Sequence, residues 1–217
     1  MVVVARPVAK DKTDPSHTTF KWGSEIIHYA LSQGYKVLDI IDPWVEYEKI
    51  TYLLKKYRPD MFIYMGHGCK NYLAVQDGCS ITNGWKEDIC QNQCNFPSNL
   101  SILKGAIIVT FSCHSSNQEG SIGNCAIRYG ARAYVGFSDY MMFTSDRLGS
   151  EKLFKEALMP MAIEVLNGRT VGEAVAITKK ALLDKAKKWK SVKYLSIPMM
   201  WNHEYMQVLG DMNARLC

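Results

Sequence analysis

No stretch of the sequence approaches eighteen consecutive uncharged apolar residues, which excludes a helix long enough to cross a bilayer. The first residues, "MVVVARPVAKDKTDP", hold only a short apolar run that charge interrupts at once, so no secretory leader is expected. Internal repeats, low-complexity tracts and linker-like stretches are missing as well, and one domain spanning residues 1–217 is the expectation. No C-x-x-C knuckle occurs. Cys90 and Cys94, with three residues between them, are the only close pair, so no metal site is expected, and no cofactor motif is evident. Seven cysteines is an odd number in a chain too large to need disulfide staples. Cys69, Cys79, Cys90 and Cys94 are therefore expected as free thiols and the protein as cytoplasmic.

What is present begins with a globular composition, 47% apolar residues in 217, enough for a full core. The net charge of +5 is local, because residues 179–193, "KKALLDKAKKWKSVK", hold seven lysines against one aspartate. Such a run reads as the solvated face of a helix whose Leu182 and Trp189 turn inward at heptad spacing. A nucleic-acid surface needs basic residues spread among aromatic or arginine readers, and that partner is not expected.

Short apolar runs alternate with amphipathic stretches. "MVVVARPV", "YKVLDIID" and "DMFIYMG" read as strands, and "TFKWGSEIIHYALSQG" and "WVEYEKITYLLKKYR" as helices. "NYLAVQDGCSITNG" suggests a hairpin with turns at Asp77-Gly78 and Asn83-Gly84. A short helix "NLSILKG", a strand "AIIVTFS", a helix around "CAIRYG" and a strand "RAYVGFS" follow, and helices fill the C-terminal third. Strand and helix in turn predict a three-layer α/β sandwich, a mostly parallel sheet with helices on both faces.

In open parallel sheets, ligands bind beyond the carboxyl ends of the strands. His67, between Gly66 and Gly68, follows one apolar strand directly, and Cys113, between Ser112 and Ser115, follows another. A cysteine becomes a nucleophile when a neighbouring imidazole shares its proton, and acyl transfer also needs backbone N–H donors aimed at the oxyanion. The Gly68 and Cys113 amides are the candidate donors. Taken singly, His67 reads as a turn residue and Cys113 as a small buried hydrophobe; together at two strand ends they point to a catalytic pair.

A hydrophobic strand ending in His-Gly, then a second ending in Cys, resembles the signature of the caspase-fold cysteine peptidases, the group of caspases, legumains, clostripain and gingipains. "FIYMGHG", "IIVTFSCHSS", "YGARAYVGFSD" and "LNGRTVGEAVAITKKAL" are most similar to the gingipain branch and cover more than half of the chain. The resemblance implies a six-stranded caspase-like sheet and a cysteine endopeptidase, with His67 as general acid and base, Cys113 as nucleophile and a peptide or protein as substrate. It also implies a first specificity pocket bordered by Asp139, whose carboxylate would pair with arginine or lysine. Acidic specificity would need arginines, and Arg128, Arg132 and Arg147 have no evident place there. Phe-Ser-Cys-His departs from the Ala-Cys common in the family. That Cys-His pair also fits flavodoxin-like hydrolases of the amidotransferase-like group, with Glu25 as the acidic partner, although the flanking glycines of their nucleophile elbow are missing. A catalytically silent caspase-like scaffold that binds peptide or protein is the alternative of a different class.

Overall fold

The computed structural model describes residues 1–8, 14–75, 78–84, 94–117, 119–144 and 149–216. In chain order the elements are β1 (Val2–Arg6), α1 (Ser16–Ser32), β2 (Val37–Ile41), α2 (Tyr47–Tyr57), β3 (Met61–Tyr64), and the pair β4 (Tyr72–Val75) and β5 (Gly78–Thr82). A 3-10 turn at Leu100–Leu103 leads into β6 (Ile107–Thr110), α3 (Ile122–Arg128) and β7 (Ala133–Phe137). Four helices follow, α4 (Ser150–Leu158), α5 (Pro160–Leu166), α6 (Val171–Lys188) and α7 (Lys193–Tyr205), and then β8 (Met206–Gly210).

Six strands form one sheet in the order β2-β1-β3-β6-β7-β8. β1, β2, β3, β6 and β7 run parallel, and β8 pairs antiparallel to β7. The interior strands read as unbroken apolar runs because helices cover both faces. Val2, Val4, Met61, Ile63, Ile107, Val109, Val135 and Phe137 point to a core closed by α1 and by α4 to α7. The alternate residues Val3, Ala5, Phe62, Tyr64, Ile108 and Tyr134 point to a second core closed by α2, α3 and the 3-10 turn. The α/β sandwich expected from the sequence is therefore the observed architecture. The difference is β8, a five-residue edge strand inside the third expected to be helical. Its Met206 and Val208 pack on the first core while Gln207 faces solvent, a period-two pattern too short to stand out after a long helix.

Two sequence features prove to be scaffold. The Thr170 hydroxyl accepts from the Glu173 N–H at 3.2 Å while the Glu173 carboxylate accepts from the Thr170 N–H at 2.8 Å, a capping box that starts α6. The lysine run is the outer side of α6 and its exit, with Leu182 buried beneath and Trp189 packed on the first core. The expectation of free thiols is corrected, because Cys79 and Cys94 form a disulfide and Cys69 is disulfide-bonded as well. The Cys79–Cys94 bridge seals a small cluster with Tyr72 under the hairpin, a core too slight to hold by burial alone. Cys90 and Asp77 lie outside the described residues. Among the described residues no helix is long and apolar enough to cross a membrane.

Candidate functional site

Strand register decides what meets at the carboxyl edge of the sheet. Tyr64 pairs with Thr110 and Val109 with Val135. His67 and Cys113 thus lie equally far beyond one paired position, and Cys113 and Asp139 equally far beyond the other. Three residues distant in sequence arrive at one level on three neighbouring strands. Gly68 documents how closely the first two segments pass, since a Cβ there would sit 2.7 Å from the Ser112 Cβ and 3.2 Å from the Cys113 carbonyl oxygen. Only glycine fits.

The hairpin β4–β5 holds the His67 segment from the other side. Ala74 N–H donates to the His67 carbonyl and Cys69 N–H to the Tyr72 carbonyl, both at 2.9 Å, and Gly68 bridges Leu73 between them. That pattern leaves the Gly68 N–H, a buried residue's amide, with no hydrogen-bond partner among the described residues. A buried free donor at this position suits an oxyanion. His67 itself has a half-exposed side chain, and its Nε2 lies 2.7 Å from Asp14 Oδ1.

Asp14 was not anticipated from the sequence. It precedes α1, and its Oδ1 also accepts from the Ser16 N–H at 2.7 Å, so one oxygen meets both the first amide of the helix and the imidazole. Burial pushes the Asp14 carboxyl up, but the Ser16 amide and hydroxyl together with His67 outweigh it and hold the group below its ordinary value. The available clue was an Asp-Pro-Ser opening a helix just after a strand next to the His67 strand, a pattern that reads first as a helix cap.

Cys113 sits on a tight turn, residues 112–116, anchored from below. Thr110 and Ser115 hydroxyls lie 3.0 Å apart, Thr110 Oγ1 also donates to the Val135 carbonyl, and Ser115 Oγ donates to the Ser112 carbonyl. His114, at φ 51°, takes the left-handed conformation that turns the chain after Cys113. Its N–H donates to the Asp139 carbonyl at 2.9 Å, and the Ser116 N–H to the Phe137 carbonyl at 3.1 Å. A Cβ on Gly136 would lie 2.5 Å from Ser115 Oγ and 2.8 Å from Thr110 Oγ1. Gly136→Ala is accordingly expected to destabilise the protein by about 1–3 kcal/mol in urea titration; an unchanged midpoint would show that the turn gives way freely.

Asp139 is close enough to act on the Cys113 thiol. Its Oδ1 accepts from the Tyr140 N–H at 2.7 Å and stands 3.8 Å from His114 Nδ1, while the His114 ring meets Tyr140 edge-on at 4.4 Å. Burial pushes the Cys113 thiol up, the Met141 N–H on Sγ at 3.4 Å lowers it in part, and Asp139 raises it further. The net direction is up. No hydrogen bond joins the His67 ring to Cys113 Sγ among the described residues. Alkylation of Cys113 by iodoacetamide is expected to rise with pH around a midpoint above that of an ordinary thiol. A midpoint below it would show a preformed thiolate–imidazolium pair instead.

No family model matches the chain, and no curated protein matches it. Among solved structures it is similar to the crystal structure of the Arg-specific cysteine proteinase gingipain R, at TM-score 0.64 and 13% identity over 99% of this chain and 46% of that one. This is a gingipain-like fold. A structure named only as a protease is similar at TM-score 0.62 and 14% identity, over 99% of this chain and 47% of its own. The chain thus spans a little under half the length of either.

The remaining candidates fall away from this edge. Glu25 pairs with Lys155 at 2.7 Å on the surface, so it is no partner for a nucleophile. Arg128 pairs with Glu119 near the exposed end of α3, and Arg132 precedes β7 at the opposite edge of the sheet. Arg147 lies outside the described residues.

Proposed function

We propose that this protein is a cysteine endopeptidase whose nucleophile is Cys113, with residues 1–217 acting as one caspase-like unit. The observation that carries the reading is the shared level of His67, Cys113 and Asp139 at three strand ends, with Asp14 on the imidazole. In this mechanism Sγ attacks the scissile carbonyl carbon as His67 takes the thiol proton. The oxyanion is received by the Gly68 and Cys113 N–H groups. His67 then gives its proton to the leaving amine, a thioester remains, and water deprotonated by His67 releases the acid and the thiol. Asp14 keeps the ring oriented and stabilises its positive charge, the service a carboxylate renders in hydrolytic triads.

Asp139 is the proposed selector of a basic side chain on the acyl side of the cleaved bond. It is a partly exposed carboxylate at the level of the nucleophile, and the fold neighbour gingipain R is named as Arg-specific. Disulfides at Cys79–Cys94 and at Cys69 belong to oxidising surroundings, and we place the enzyme there and not in the cytoplasm.

The test is labelling with limiting acyloxymethyl ketones that carry arginine, lysine, aspartate or asparagine, followed by peptide mapping of wild type, His67→Ala and Cys113→Ala. Arginine or lysine probes are expected to modify Cys113 in a His67-dependent way. Asp139→Asn is expected to weaken that preference by about 10- to 100-fold, the loss of a charged hydrogen bond. Labelling that ignores His67 would leave a silent scaffold as the better account.

A further inference from the structure

The outer face of α7 and the exit of α6 form a second feature, away from the catalytic edge. Leu183, Ala186, Ile197, Met200 and Trp201 line a groove of about 690 Å³ between the two helices. Ile197 is 54% exposed and Met200 47%, and Tyr194, 45% exposed, continues the same stripe one turn earlier. Large apolar side chains at this spacing on a solvent-facing helix side are the mark of an unfilled docking surface. The lysines of α6 and of the segment that follows it differ in their partners. Lys180 pairs with Asp184 and Lys185 with Glu156, each at 2.7 Å. Lys187, Lys190 and Lys193 border the groove, are exposed, and make no ion pair among the described residues. Glu204 stands at the far end.

We infer that this groove docks an acidic amphipathic polypeptide segment, its apolar side chains at helical spacing against Ile197, Met200 and Trp201 and its carboxylates on Lys187, Lys190 and Lys193. Charge decides among the occupants. The protein carries +5 overall, and residues 179–193, with seven lysines against one aspartate, more than account for it, so the positive field is concentrated here. A second copy would bring the same three lysines against these three. A bilayer is flat, whereas this surface is concave, and Glu204 faces any anionic headgroups at one end. A segment with carboxylates on one side and leucine-like side chains on the other meets both the lysines and the apolar wall.

The test uses the intact protein and a fluorescein-labelled helical peptide of about four turns, with leucines at i, i+3, i+4 and i+7 and glutamates elsewhere. Anisotropy titration is expected to show saturable binding that weakens with salt. Ile197→Glu and the triple exchange of Lys187, Lys190 and Lys193 for Glu are each expected to weaken it by at least about tenfold, with melting temperatures near wild type because all four side chains are exposed. The triple variant is expected to prefer a lysine version of the peptide, and amide shifts in wild type are expected to map to α6 and α7. Equal binding of a glutamine version or a scrambled sequence, or no saturation, overturns the inference. So do groove-dependent dimerisation in sedimentation and groove-dependent co-sedimentation with phosphatidylserine vesicles, which would assign the face to a second copy or to a lipid surface.

Discussion

His67→Ala is expected to lower kcat/KM by at least about three orders of magnitude, and Asp14→Asn by about 10²- to 10⁴-fold, with the fold intact in both. His67 carries every proton transfer in the proposed cycle. His114, the other imidazole near Cys113, is turned away by its left-handed backbone toward Asp139 and Tyr140. The Asp14 effect follows from geometry. Its Oδ1 at 2.7 Å fixes which ring nitrogen of His67 carries the outward proton and favours the imidazolium that forms when Cys113 gives up its own. Asparagine keeps the size but presents either a weaker acceptor or an N–H, and so holds the wrong tautomer. Because the same oxygen also accepts the Ser16 N–H at the start of α1, a stability readout must accompany the kinetics. The sign is fixed by the lowered Asp14 value. The folded protein binds this proton less readily than the unfolded chain, whose carboxyl titrates near about 4. Its contribution to stability is therefore full above that range and is lost as pH falls through the lower folded value. Wild type is expected to exceed Asp14→Asn in urea midpoint at neutral pH, with the gap closing in acid. A gap that persists below both values would mean that the cap is held by shape and not by charge. Unchanged kinetics in Asp14→Asn would remove Asp14 from the mechanism.

Much of this was legible in the residues. The parallel sheet could be read because strands buried on both faces carry unbroken apolar runs, and the strand ends named His67 and Cys113 because chemistry-bearing residues directly followed those runs. Asp14 was hidden, since a helix-capping aspartate looks the same whether or not an imidazole waits across the turn. The disulfides were hidden for a related reason. Cys79 lies on β5 and Cys94 lies beyond the hairpin, fifteen residues on, and spacing alone does not reveal such closure. β8 was missed because five residues of alternation carry little weight beside four helices. "GRTVGEA" spoke clearly but of scaffold, a capping box rather than a site.

Asn202→Ala is expected to cost about 2 kcal/mol of stability and to move the titration of Cys113 upward. Asn202 lies on α7, wholly buried, and its side chain meets the backbone of Met142 in both directions: the Met142 N–H donates to Oδ1 at 2.9 Å and Nδ2 donates to the Met142 carbonyl at 2.5 Å. The Ser138 N–H, donating to the Tyr205 carbonyl at 2.9 Å, pins the other end of the same segment. Between these two anchors lie Asp139 and the Met141 N–H that donates to Cys113 Sγ. In the proposed mechanism Asn202 is thus a positioning residue, separated from the Cys113 contact by one peptide unit. Alanine frees the segment, weakens the Met141 amide that favours the thiolate, and spreads Asp139 over several positions. The iodoacetamide midpoint is expected to rise, and KM for arginine substrates to rise more than kcat falls. Asn202→Asp keeps the acceptor for Met142 N–H but buries a charge and loses the donor, so it is expected to recover the alkylation profile in part while remaining unstable. If Asn202→Ala melts earlier yet leaves both the Cys113 profile and KM where they were, α7 braces the fold without reaching the site.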